Sequence, residues 1–125
     1  MPLVKLYTLP LPDGLAPAQV LVALAEAIAP ILNVRADQVL AVHVPIAAGS
    51  YVKGAVAAAH HHADSHPPVV EIGAFVGRTP EQIALAVTAA ANVVTAQLGL
   101  DAGNAFVYYC ELQRGQVFTG GVVRQ

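Results

Sequence analysis

Three groups of residues in this chain have the types and spacing to do chemistry. Pro2 stands directly after Met1. If Met1 is removed, it becomes an amino-terminal secondary amine, the kind of nitrogen that accepts and returns a proton near neutral pH, since a free α-amino group titrates at about 7.7–8.0 and lower when desolvated or flanked by cations. If Met1 stays, the same nitrogen is a tertiary amide without a basic lone pair. Arg78 lies between a strand-like run and a helix start, where an anion would meet a guanidinium fork and backbone N–H donors together; the plainer reading is a solvated loop arginine. His60, His61, His62, Asp64 and His66 supply metal-ligand types, but consecutive side chains diverge and the run lacks the spacing of a known site, so it reads as a solvated loop that holds no metal.

These groups sit in a repeating framework. Leu3 to Leu9 alternates as a strand does, and Pro10 to Gly14 breaks it with turn residues. From Pro17 a helix is predicted, with Val20, Leu24, Ile28 and Ile31 on its apolar stripe and Pro30 kinking or shortening it. Val39 to Val44 is a β-branched strand ending at Pro45, and a short extended piece lies between Gly49 and Gly54. The pattern then returns. Val69 to Phe75 reads as a strand; Thr79, Pro80 and Gln82 form a helix start with a capping box; Ile83, Val87, Ala90, Val94 and Leu98 make the stripe; Gly99 stops it; and Ala105 to Leu112 is a strand. The fold class is therefore α+β: two βαβ units, about 2–54 and 69–125, joined by the His-rich loop 55–68 within a single domain 1–125. Parallel, right-handed crossovers give a four-stranded mixed sheet with both helices on one face.

The other face needs a cover. The chain has 125 residues, 56% hydrophobic and only 11% charged, an apolar excess that points to an oligomer interface. Net charge −2 with scattered Lys and Arg gives no footprint for nucleic acid. No apolar run reaches the ~20 residues of a membrane span, and the opening lacks the pattern of a signal peptide, so a cytoplasmic protein without membrane contact is expected. The lone Cys110 fits a reducing compartment and reads as a small buried hydrophobe in its strand; His43 reads as a satisfied core histidine.

The Met1-Pro2 start, the double βαβ of this size, Gln38 to Val44, the turn Gly77-Arg78-Thr79-Pro80-Glu81-Gln82 and the tail Phe118-Thr119-Gly120-Gly121 together resemble the tautomerase superfamily. The resemblance implies a homotrimer with three interfacial sites, each around an amino-terminal proline, acting on a small carboxylate or keto acid without cofactor or metal. It implies Pro2 as the proton-moving residue and Arg78 as a carboxylate anchor. Arg35 falls near an active-site lysine of the migration inhibitory factor branch, although a cation after a helix end also suits the dipole without function. Tyr108 aligns with a water-orienting tyrosine of the cis-dehalogenase branch and Phe106 with a pocket-wall aromatic; one of Tyr108 and Tyr109 should face core or pocket, the other an interface. That branch's first-helix histidine has no match where Pro30 stands, Phe75 replaces its second arginine, and Thr119 stands nearest its acidic partner, so hydrolytic dehalogenation is disfavoured. Proton transfer in a keto–enol or unsaturated keto-acid substrate is the leading reading. A β-keto-acid decarboxylase using protonated Pro2 and a non-catalytic trimeric binding protein with Met1 retained are the alternatives.

Overall fold

A computed structural model describes residues 1–125. Along the chain lie β1 (Leu3–Thr8), α1 (Pro17–Ile31), a 3₁₀ turn (Ala36–Gln38), β2 (Leu40–Pro45), β3 (Tyr51–Lys53), β4 (Val56–Ala58), β5 (Val69–Phe75), α2 (Pro80–Leu98), β6 (Phe106–Leu112), β7 (Phe118–Thr119) and β8 (Val122–Val123). The main sheet has the order β2-β1-β5-β6, with β1–β2 and β5–β6 parallel and β1–β5 antiparallel. This is the duplicated βαβ arrangement, an α+β fold with a mixed four-stranded sheet. No helix is long and apolar enough to cross a membrane.

Alternation within the strands decides what each face does. Val4, Leu6 and Thr8 of β1 and Val70, Ile72 and Ala74 of β5 are buried against Val20, Leu24 and Ile28 of α1 and Ala86, Ala90 and Val94 of α2. The opposite face stays open, with Leu40, Val42 and Val44 of β2 and Phe106 and Tyr108 of β6 exposed. Cys110 lies on that open face, half-buried and unpaired, because its strand parity matches Phe106 and Tyr108 and opposes the core-packed Val107 and Tyr109.

The two helices end differently. Thr79 Oγ1 accepts from Gln82 N and Gln82 Oε1 accepts from Thr79 N, both at 3.1 Å, while Gly99 closes α2 with φ 69°. The buried stripe runs through Ala86, Ala90, Val94 and Leu98; Ile83 and Val87 sit at its half-buried border. Helix α1 has no side-chain cap at its start, and Pro30 falls in its last turn, so the helix ends one residue later at Ile31. Its terminal carbonyls are served by the second unit: Gln82 Nε2 donates to Ile31 O at 3.3 Å and Arg78 Nη2 to Leu32 O at 2.8 Å.

Two short hairpins complete the chain. Strands β3 and β4 pair antiparallel, so the segment 55–68 begins with a strand, and β7 and β8 pair across the Gly120-Gly121 turn.

Candidate active site

Register fixes which residues share an end of the sheet. Leu3 pairs with Leu40 on one side and Gly73 on the other, and Gly73 pairs with Cys110. The amino end of β1 therefore lies at the same edge as the carboxyl ends of β5 and β6, where the chain continues into Arg78 and into the terminal hairpin. Pro2 extends the ladder by one step, its carbonyl accepting from Leu40 N at 2.9 Å, and its ring is fully buried. Met1 is partly exposed, and Thr119 Oγ1 of the hairpin lies 3.8 Å from its Sδ. Burial, then the Arg78 and Arg124 guanidiniums, push the terminal amino group below its ordinary pKa of 8.0.

Arg78 is turned away from the start of α2. Thr79 and Gln82 already cap that helix, and the guanidinium instead donates to Leu32 O at 2.8 Å and Phe75 O at 3.3 Å. It is half-buried in the wall of a groove of about 440 Å³ that Asn33, Phe75 and Arg114 also line, with Arg114 stacked 5.8 Å over the Phe75 ring. Arg78 is thus neither a free loop cation nor seated at a helix amino terminus: part of its donor set closes α1, and the rest faces the groove. Beside it, Tyr109 is packed on the helix side of β6, and its hydroxyl is the one buried side-chain polar atom without a hydrogen-bond partner. Burial raises the Tyr109 pKa, and Arg78, close enough to the hydroxyl to act through charge and as a donor though outside normal hydrogen-bond geometry, opposes that rise.

The other residues singled out in the sequence lie elsewhere. Tyr108 is on the open sheet face, where its hydroxyl donates to Glu71 Oε1 at 2.6 Å and Glu71 Oε2 in turn meets Lys5 Nζ at 3.4 Å. A phenol held by a carboxylate resists ionisation, and the Tyr108 pKa is pushed up to about 12. Phe106 begins β6, four residues before Cys110, so it is roughly 13 Å from the Pro2 edge at ~3.3 Å per residue; within one chain it is not part of the Pro2 wall. Arg35 heads the 3₁₀ turn, highly exposed, with its Nε 3.0 Å from Asp37 Oδ1.

The histidine segment differs from the solvated loop read in the sequence. His66 is buried, its Nε2 bonded to Val56 O at 2.8 Å and its Nδ1 to Ser65 Oγ at 2.9 Å. His61 Nε2 accepts from Leu9 N at 2.9 Å while its Nδ1 donates to His66 O. All four ring nitrogens are engaged, three of them by backbone groups, the role of a staple that ties the segment to the end of β1 and to β4. His43 bonds Thr8 Oγ1 at 2.8 Å, a satisfied histidine on the helix side of edge strand β2.

Sequence reasoning left Tyr109 undecided. For Tyr109 the signal was its parity with Val107.

No protein-family profile matches the chain, and no curated protein matches it in sequence. Solved structures do match in fold. A wild-type fused 4-OT symmetric trimer aligns at TM-score 0.83 and 19% identity, covering 98% of this chain and 94% of that one. A member of the cis-3-chloroacrylic acid dehalogenase family aligns at 0.78 and 19%, covering 98% and 83%. A malonate semialdehyde decarboxylase inhibited by 3-bromopropiolate aligns at 0.70 and 15%, covering 94% and 88%. With matching strand order and nearly full coverage on both sides, the chain has the fold of the tautomerase superfamily.

Proposed function

We propose that this chain is a cofactor-independent tautomerase or isomerase of a small carboxylate-bearing keto acid, working through Pro2 after removal of Met1. The observation that carries the reading is the setting of the amino terminus: it lies at the sheet edge with two guanidiniums near it, in a partly buried place. The same influences, acting on the Pro2 nitrogen once Met1 is gone, favour its neutral form, which takes a proton from the carbon α to the substrate carbonyl. The enolate charge develops near Arg78 and Arg124, and the proton returns at the other end of the conjugated system. Arg78 retains N–H groups beyond those on Leu32 and Phe75 and is assigned the substrate carboxylate. The decarboxylase reading needs the protonated amine and ranks second, because the same burial and cations oppose that state.

The open, apolar sheet face supports a homotrimer, an assembly like that of the fused 4-OT symmetric trimer it resembles in fold, in a cytoplasmic protein. Only across such an interface do Phe106 and Tyr108 reach a neighbour's Pro2, and Arg35 stays assigned as an auxiliary cation at the oxyanion. The test begins with intact mass and sedimentation at micromolar concentration: loss of one Met and a trimer are expected, whereas retained Met1 leaves an amide and sinks the enzymatic reading. In the processed protein kcat/KM for phenylpyruvate or 2-hydroxymuconate ketonisation rises with pH as the Pro2 amine loses its proton. Pro2→Ala, a primary amine, slows turnover while the circular dichroism spectrum is kept; unchanged turnover would assign the chemistry to another residue.

A further inference from the structure

The open sheet face is ordered in rows that the strand register lines up. Its middle row reads Val42, Lys5, Glu71 and Tyr108 across β2, β1, β5 and β6; one row toward Pro2, Gly73 pairs with Cys110, and one row away from it, Val69 pairs with Phe106. The polar groups of the middle row satisfy one another. Lys5 Nζ lies 3.4 Å from Glu71 Oε2, and the Tyr108 hydroxyl donates to Glu71 Oε1 at 2.6 Å. The row therefore carries no net charge, and its carboxylate needs nothing from a partner. The flanking rows differ in height. Phe106, 58% exposed and edge-on to Tyr108, stands up at one end. On the Pro2 side Gly73 has no side chain and Cys110 a short one, which leaves a dip beside Leu112, whose Cδ1 is 3.7 Å from the place of a Gly73 Cβ.

We infer that this face seats a second copy of the chain in a staggered contact: Phe106 of one copy rests on the Gly73–Cys110 dip of the next, and the Lys5–Glu71–Tyr108 row is sealed beneath it. The inference rests on the homotrimer proposed above and names the contact that closes it. Shape and charge both select this occupant. Four strands ~4.8 Å apart and six residues long at ~3.3 Å per residue give a flat face on the order of 400 Å², an area for a protein rather than a small molecule. A nucleic acid or a strongly charged protein would find no net charge to pair with, whereas an apolar surface with a projecting ring fits, and this face is itself such a surface. Within one chain Phe106 and Cys110 are roughly 13 Å apart along β6, so only another copy's Phe106 fills the dip. Gly73 pairs with Leu3, the residue after Pro2, so the same contact carries the neighbour's Phe106 to the Pro2 edge.

Cys110 supplies the probe. In Phe106→Cys, a bismaleimide too short to span the two positions within a chain should link position 106 of one copy to Cys110 of the next and give covalent trimers on a denaturing gel. Wild type and Phe106→Cys/Cys110→Ser should give no links. Labelling of Cys110 by a small maleimide at micromolar concentration should be at least tenfold faster in Phe106→Ala than in wild type, and changed less than twofold in Leu85→Ala, a position exposed on α2. Glu71→Leu, which leaves Lys5 and Tyr108 unpaired, should sediment as a monomer at the same concentration with its circular dichroism spectrum kept, and Lys5→Met/Glu71→Leu/Tyr108→Phe should recover the trimer. With a trimeric wild type, absent links together with unchanged labelling, links that survive Cys110→Ser, or a trimer indifferent to Glu71→Leu overturn the inference and leave the homotrimer reading standing. A wild type that sediments as a monomer sinks that reading and this one with it.

Discussion

The two ends of the sheet use their polar side chains in opposite ways. At the end where β1 finishes and β5 begins, His61 and His66 have both ring nitrogens engaged, and Tyr51 adds a hydroxyl bond of 2.6 Å to Pro67 O. At the end where β1 begins, Arg78 is only partly engaged, Arg124 makes no side-chain hydrogen bond, and the Tyr109 hydroxyl is buried without a partner. Histidine is the more familiar catalyst, yet here His61 and His66 are structural. Unused hydrogen-bonding capacity, rather than residue type, separates a site from a staple.

The largest effect should come from the open end. Arg78→Ala removes a charge-assisted contact that no neutral side chain replaces, and should lower kcat/KM for a carboxylate-bearing keto acid by roughly 10²-fold, about 2.7 kcal/mol, with far less loss for a carboxylate-free enol. Equal losses on both substrates would mean that closing α1 is its whole role.

The closed end should answer in stability. His66→Ala leaves Val56 O without its histidine donor and should cost about 2 kcal/mol in urea denaturation, with the amine chemistry unaltered. Burial holds the pKa of His61 and of His43 below 6.5 in the folded protein. Their contribution is therefore complete above pH 6.5 and is lost as pH falls below it, because the unfolded chain takes up the proton first. A urea midpoint that stays constant from pH 7.5 to 5 would contradict the staple. Protonated His61 would also turn a donor toward Leu9 N–H, which now donates to it.

The smallest effect concerns Tyr109. Since no hydrogen bond of normal geometry holds its hydroxyl and only Arg78 is near it, Tyr109→Phe should change stability by less than about 1 kcal/mol in the same denaturation measurement. A clear destabilisation would show that the phenol is bonded after all and that the two ends are less different than they look.

The framework was legible because its signals are local and long. The Thr79–Gln82 box, the stop at Gly99 and the alternation in β1, β5 and β6 each declare themselves within a few residues. The hairpins were harder, since strands of two or three residues carry too little alternation to register, though the glycines of their turns were visible. The site was least legible. Pro2 and Arg78 could be singled out, but the carbonyls that Arg78 reaches belong to a helix end 46 residues away in sequence. The histidines misled for a related reason: their partners are backbone atoms of Leu9 and Val56, which no composition of the loop reveals.

Pro2, whose carbonyl is pinned to Leu40, shares its end of the molecule with Gln125, whose carbonyl accepts from Arg114 Nη1 at 2.7 Å. The practical result concerns handles. On the proposed function, an amino-terminal affinity tag acylates the Pro2 nitrogen and leads a foreign chain past Arg78, while a carboxyl-terminal one pulls on the terminal hairpin. The exposed β3–β4 turn at Gly54, toward the opposite end, is the attachment point that leaves the chemistry alone.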